Sequence, residues 1–213
     1  MSDFRQVMTD LRSMRHHERM STTGPPPRLR DRTRAALLTA AIDALTDNAA
    51  ASMSDIAKAA GVARSTLNRY FPDRAALTEG IEAFVESQYE EAVQQARTAE
   101  GTGLAAYLRI VDEMLERLDS LGWWMRAGAD ADPDDFECES DAGIIAVIQR
   151  GQQDGSVDTH FTPLFMVGAT WSLLTSAHLD IRHGKQSPRE TRDMCRAALA
   201  KVAGAAADHP VGG

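Results

Sequence analysis

Residues 52–71 constrain this chain more than any other stretch. Met53, Ile56, Ala57 and Ala60 recur at helical spacing and make one apolar face. Gly61 ends that run as a residue free to take positive φ, and Val62 follows it. A second short helix is expected over residues 63–70, so Ala60-Gly61-Val62 becomes a tight turn between two short amphipathic helices. Ser52 and Asp55 form a capping box with Asp in place of Glu. The outer side of the second helix carries Arg64, Ser65, Asn68 and Arg69. A short helix bearing those groups can enter a major groove and offer donors to base edges. The same residues also fit a plain helical hairpin with a solvated outer face.

Composition keeps the rest of the chain in the same class. Of the 213 residues, 43% are apolar, 25% charged and only 6% aromatic. That excludes wholesale disorder and favours helix over sheet, in one or two small domains. No run of about 18 apolar residues is present to span a membrane. Residues 1–20 are polar and lack the apolar core of a secretory signal. Two cysteines, Cys138 and Cys195, make neither a disulfide framework nor a zinc site, so a cytoplasmic setting is expected.

The pattern along the chain predicts an all-α protein. Residues 1–27 read as a flexible tail ending in three prolines, and residues 28–78 as a helix-turn-helix domain. A first helix is expected over Asp31–Asp47, with Leu37, Leu38, Ala41, Ile42 and Leu45 inward. A fourth begins near Pro72 and extends to about Ala99. Residues 79–204 read as a second helical domain and 205–213 as a tail. Within that second domain, helices are expected over Leu104–Met125, Ala142–Gln153, Thr162–His183 and from Ser187 to about Val202. Residues 1–74 carry 12 basic and 8 acidic side chains, against 11 and 23 in the remainder. One end could therefore meet phosphate while the other would be repelled.

No phosphate-binding glycine loop or nucleophile elbow occurs, and no catalysis, cofactor or metal is expected. Asp130, Asp132, Asp134 and Asp141 have a calcium-loop rhythm, but Asp135 stands where the turn needs glycine.

The run from Ile56 to Leu77 resembles the DNA-binding signature of the tetracycline-repressor (TetR) family of transcriptional regulators. Ile56-Ala57, Ala60-Gly61-Val62, Thr66-Leu67, Phe71, Arg74 and Leu77 carry the resemblance, with Arg74 in place of the family's Lys. It implies that Thr66, Tyr70 and Arg74 meet phosphates, and that Leu67 and Phe71 are core. Arg64 and Ser65 match groove-facing positions, and Arg34, Ser52 and Arg69 complete the candidate DNA-facing set. Two further departures matter. Ala63 replaces a capping Ser, and Asn68 replaces a Tyr, offering bidentate pairing to adenine.

For the second domain the resemblance implies dimerisation and a ligand cavity among the helices. Trp123, Trp124, Phe165, Trp171 and His178 are the candidate ligand residues, although ordinary core packing accounts for any one of them. The long helix carries apolar or small residues on more than one side, including Leu164, Gly168 and Ser172, which favours a homodimer. The expected protein binds double-stranded DNA as a repressor released by a small apolar or amphipathic molecule. Two alternatives stay open: a helix-turn-helix regulator without an inducer, and a helical ligand-binding protein that does not bind DNA.

Overall fold

The helical periods read from the sequence become nine helices among the described residues of a computed structural model, which are 29–128, 141–184 and 186–204. They are α1 (Leu29–Asp47), α2 (Met53–Ala59), α3 (Arg64–Tyr70), α4 (Arg74–Gln95), α5 (Gly103–Glu116), α6 (Leu118–Gly128), α7 (Ala142–Gln153), α8 (Pro163–Arg182) and α9 (Pro188–Ala203). The only β pairing among the described residues is one isolated antiparallel bridge, Val157 with Gly204. The chain divides into two units, residues 1–32 and 33–213. The expected tails, and Asp130, Asp132, Asp134 and Asp135 of the acidic run, lie outside the described residues.

The apolar stripes become the core as expected. Leu37, Leu38, Ala41, Ile42 and Leu45 of α1 are all buried, as are Ile56, Leu67, Phe71, Leu77 and Ile81. Further along, Tyr107, Ile110, Val111 and Met114 of α5 pack with Ile144, Ile148, Met166 and Leu174. The Tyr107 hydroxyl donates to Thr170 Oγ1 at 2.8 Å, because the Thr170 hydrogen is already given to the Met166 carbonyl at 2.7 Å. Burial pushes the Tyr107 phenol up to about 12.

Several helix ends differ from expectation, each for a local reason. The helix expected over Leu104–Met125 is two helices, broken at Arg117, whose backbone leaves the helical region at φ −109° and ψ 15°. The Arg117 guanidinium there donates to the Glu113 carbonyl at 2.9 Å and the Gln95 amide oxygen at 2.7 Å. α4 begins at Arg74, not at Pro72, since the Asp73 side chain takes the Ala76 N–H at 2.8 Å as the N-cap. It stops at Gln95, short of Ala99, because Arg97 turns to φ 44°. The Arg109 guanidinium then donates to the freed carbonyls of Ala96, Arg97 and Glu100 at 2.6–3.0 Å.

α5 and α7 approach backbone to backbone. A Cβ on Gly103 would lie 2.1 Å from the Gly151 Cα. Asp154, at the end of α7, and Ser156, beyond it, accept the Gly103 and Leu104 N–H groups at 2.7 and 3.0 Å, satisfying the first turn of α5.

Candidate nucleic-acid interface and aromatic cluster

The helix α2 is locked at both ends. Ser52 Oγ accepts the Asp55 N–H at 3.2 Å, while the Asp55 carboxylate accepts the Ser52 N–H at 2.9 Å and its hydroxyl at 2.6 Å. Those bonds hold the Asp55 carboxyl below its ordinary range. At the other end Gly61 takes φ 66°. The Val62 N–H returns to the Ala57 carbonyl and the Gly61 N–H to that of Lys58, both at 3.0 Å. α3 then starts at Ala63 with no side-chain cap, as its sequence implies.

Leu67 is fully buried and anchors α3, which fixes the outward face. Arg64, Ser65, Asn68 and Arg69 are exposed, and Thr66 and Tyr70 are half-buried. The Asn68 amide has no hydrogen-bond partner among the described residues. Arg69 lies over the Tyr70 ring at 5.7 Å. α3 thus displays a donor-rich surface one helix wide.

Three candidates carry structural work as well. The Ser52 hydroxyl is spent on the cap of α2. Arg74 donates to the carbonyls of Ala49 and Ala51 and so ties the α1–α2 connection to the start of α4. The Arg34 guanidinium sits 5.2 Å from the Phe71 ring centroid, against Gly80, where a Cβ would lie 2.7 Å from Phe71 Cε1.

The second candidate set divides. Trp124, Trp171 and Tyr89 are in mutual ring contact, at 5.9–6.4 Å between centroids. The indole N–H groups of Trp123 and Trp124 donate to the two oxygens of Glu82, at 2.5 and 3.2 Å. Trp171 Nε1 and the Tyr89 hydroxyl both reach Asp141 Oδ1 at 3.3 Å. Phe165 does not join this cluster: it is 57% exposed and stacks on Phe161. It sits in the first turn of α8, on the side that carries exposed Leu164.

His178 is buried against Gly122, where a Cβ would stand 2.6 Å from the imidazole. Its Nε2 has no hydrogen-bond partner among the described residues. Burial, then the nearby Arg182 charge, push the His178 pKa down, while Asp119 and Asp43 oppose them.

Residues not singled out from the sequence link the two sets. Arg126 of α6 donates to the Leu45 carbonyl of α1 at 2.5 Å and lies over the Trp123 ring at 6.0 Å. Arg182 of α8 pairs with Asp43 at 3.5 Å and with Asp47. Two guanidinium groups therefore grip the C-terminal end of α1, where the helix dipole is negative. Burial, then Asp119, push the Asp43 carboxyl up. Glu82 lies 41 residues from Trp123. Only the need of adjacent indoles for acceptors hints at such a partner.

Comparison with known proteins places this geometry. Residues 37–81 match the family model described as bacterial regulatory proteins, tetR family. The HTH-type transcriptional repressor LfrR of Mycolicibacterium smegmatis is 40% identical over 87 residues, 41% of this chain. The match spans 46% of that relative, just under half its length. The crystal structure of LfrR from Mycobacterium smegmatis in complex with proflavine is 28% identical, with a TM-score of 0.59 over 81% of this chain and 97% of that one. The MbdR regulator from Azoarcus sp. CIB has a TM-score of 0.61 at 14% identity, over 79% of this chain and 97% of that one, and shows likeness of fold alone. Residues 37–81 thus carry the helix-turn-helix segment described by the tetR family model, and the chain shares a fold with these regulators along most of its length.

Proposed function

We propose that the chain is a sequence-specific DNA-binding repressor that works in the cytoplasm as a homodimer and is released by a small amphipathic aromatic molecule. The observation that carries this reading is α3: a short helix, locked by the Gly61 turn, that presents Arg64, Ser65, Asn68 and Arg69 to solvent. Arg64 and Asn68 are the base-reading groups. Thr66, Tyr70 and Arg74 position the phosphate backbone. Residues 28–78 act as the DNA-binding part and 79–204 as the ligand-binding and dimerising part.

The relative crystallised with proflavine supports a ligand-responsive role. In this chain Trp123, Trp124 and Trp171 supply the aromatic surface, with His178 buried beside α6. A ligand releases DNA only if it binds the released conformation more tightly. The grip of Arg126 and Arg182 on α1 supplies a route for that difference. Among the described residues no helix is long and apolar enough to cross a membrane.

Fluorescence anisotropy with a labelled mixed-sequence duplex tests the DNA-binding claim. Binding is expected to weaken steeply with salt, as phosphate contacts dictate, and to vanish when Arg64, Asn68 and Arg69 are all replaced by Ala. Absence of binding by the wild-type chain at low salt would overturn the reading.

A further inference from the structure

α4 holds a single glycine, Gly80, and it lies inside the helix rather than at an end. Glycine is a poor helix former, so its place there calls for a reason. The backbone does not supply one. Gly61, Gly101, Gly155 and Gly184 take positive φ, whereas Gly80 is helical, a conformation that any residue adopts. Space supplies it. A Cβ at position 80 would lie 2.7 Å from Phe71 Cε1, 3.2 Å from an Arg34 guanidinium nitrogen and 3.3 Å from Leu38 Cδ2. The missing side chain is therefore a notch in α4, and the edge of the Phe71 ring occupies it.

Phe71 is the residue that ends α3. Its N–H donates to the Leu67 carbonyl at 2.9 Å, which ties the ring to the last turn of that helix. The side chain is buried and enclosed: the Arg34 guanidinium stands 5.2 Å from the ring centroid, and the Tyr70 ring 6.5 Å from it. Only Pro72 and Asp73 separate Phe71 from α4, and Asp73 is held by its cap on the Ala76 N–H at 2.8 Å. Three helices thus meet at one ring, α1 through Arg34 and Leu38, α3 through Phe71 and α4 through Gly80.

We infer that the Gly80 notch positions the helix that reads bases: by seating Phe71 it fixes how far α3 stands from α4, and with it the places of Arg64 and Asn68. Gly80 and Phe71 are positioning residues and act through α3. This deepens the DNA-binding reading and rests on it. A methyl at position 80 meets the ring edge, and the packed ring passes the displacement to the end of α3. Paired hydrogen bonds to a base edge are strict in distance and angle. Charge attraction to phosphates falls slowly with distance and tolerates the shift. Specific binding therefore suffers while non-specific binding persists.

The test compares two labelled duplexes by anisotropy with the full chain. One carries the sequence that the wild type selects from random DNA, and the other has the same composition in scrambled order. Gly80→Ala is expected to reduce the ratio of the two affinities about tenfold, the order of one lost bidentate contact. The scrambled duplex should be bound as before, with the same salt dependence. A purely structural role would instead weaken both duplexes together as folded protein is lost, and circular dichroism reports the fold. Gly80→Ala combined with Phe71→Leu removes the ring edge that the new methyl meets, and should recover most of the ratio. If Gly80→Ala alone does not fold, the double variant carries the test, with a ratio near that of the wild type expected. An undiminished ratio in Gly80→Ala, parallel loss on both duplexes, no recovery in the double variant, or failure of both variants to fold would each overturn the positioning role. A wild type that prefers its selected duplex, with that preference kept in Gly80→Ala, rejects the notch alone. A wild type that selects no sequence and binds neither duplex rejects the DNA-binding reading, and this inference with it.

Discussion

Asn68 stands on the exposed side of α3 with no hydrogen-bond partner among the described residues, one turn from Arg64 on the same face. A side-chain amide so placed can pair with adenine through two hydrogen bonds. Asn68→Ala should therefore lose discrimination at one base pair, by about 1–3 kcal/mol. Affinities for a preferred site and for its single-base variants measure this, and equal weakening at every site contradicts it. Arg74 is different, because its guanidinium also holds the Ala49 and Ala51 carbonyls. His178 supplies a pH prediction. Its folded-state pKa lies below the ordinary value of 6.5, through burial and then Arg182, while Asp119 of α6 and Asp43 of α1 pull the other way. The unfolded chain therefore binds the proton more readily, and the stability that His178 contributes is present above about pH 6.5 and lost as pH falls through the folded value. Urea melts between mildly alkaline and mildly acidic pH should show a decline that is smaller in His178→Gln. An identical decline in that variant contradicts the assignment. Asp43 has the opposite sign: burial raises its pKa, so its contribution is lost as pH rises through the folded value.

The end of α1 is held from two elements, by Arg126 of α6 and by Arg182 of α8. The Arg182 pairs are partly exposed, so their removal should cost stability only about 0–1 kcal/mol. Arg182→Ala should leave DNA affinity near that of the wild type while weakening the effect of a bound ligand on it. Anisotropy with and without ligand reads both, and an undiminished ligand effect contradicts the coupling. How far such features could be read from the sequence follows the range of the contact. The stripe of Leu37, Leu38, Ala41, Ile42 and Leu45 is local and periodic, and all five residues are buried. The capping box at Ser52 forms as its spacing implies, and Ser187 with Glu190 forms a second one at the start of α9. What failed was long-range. The stop of α4 at Gln95 depends on Arg109 from α5, and the break at Arg117 involves Gln95. Glu82, Arg126 and Arg182 act across gaps of 41 to 135 residues, which no helical period records. Residue type groups Phe165 with the ligand residues, but in the fold it is 57% exposed and stacks on Phe161.

On the scale of the molecule, the question is what covers the outside of α8 and α9. Leu164, Phe165, Leu179 and Met194 are 46–57% exposed. Along α8, Leu164, Gly168, Ser172 and Leu179 share one side at helical spacing, and a Cβ added to Gly168 meets nothing within 4 Å. Gly168→Arg should therefore leave the isolated fold intact while blocking close approach of a second copy. Light scattering is expected to show a dimer for the wild type and a monomer for the variant, with specific DNA binding lost in the monomer. A wild-type monomer with full affinity for its site contradicts the homodimer. The charge division supports the same picture, since the basic side chains gather toward the helix-turn-helix end of an acidic protein. Selection of bound sequences from random duplex DNA tests the central claim most directly. The account predicts enrichment of one palindromic or near-palindromic site with half-sites about 34–36 Å apart, and loss of the preference at one base pair of each half-site in Asn68→Ala. Recovery of unenriched, random sequence by the wild-type protein would contradict it.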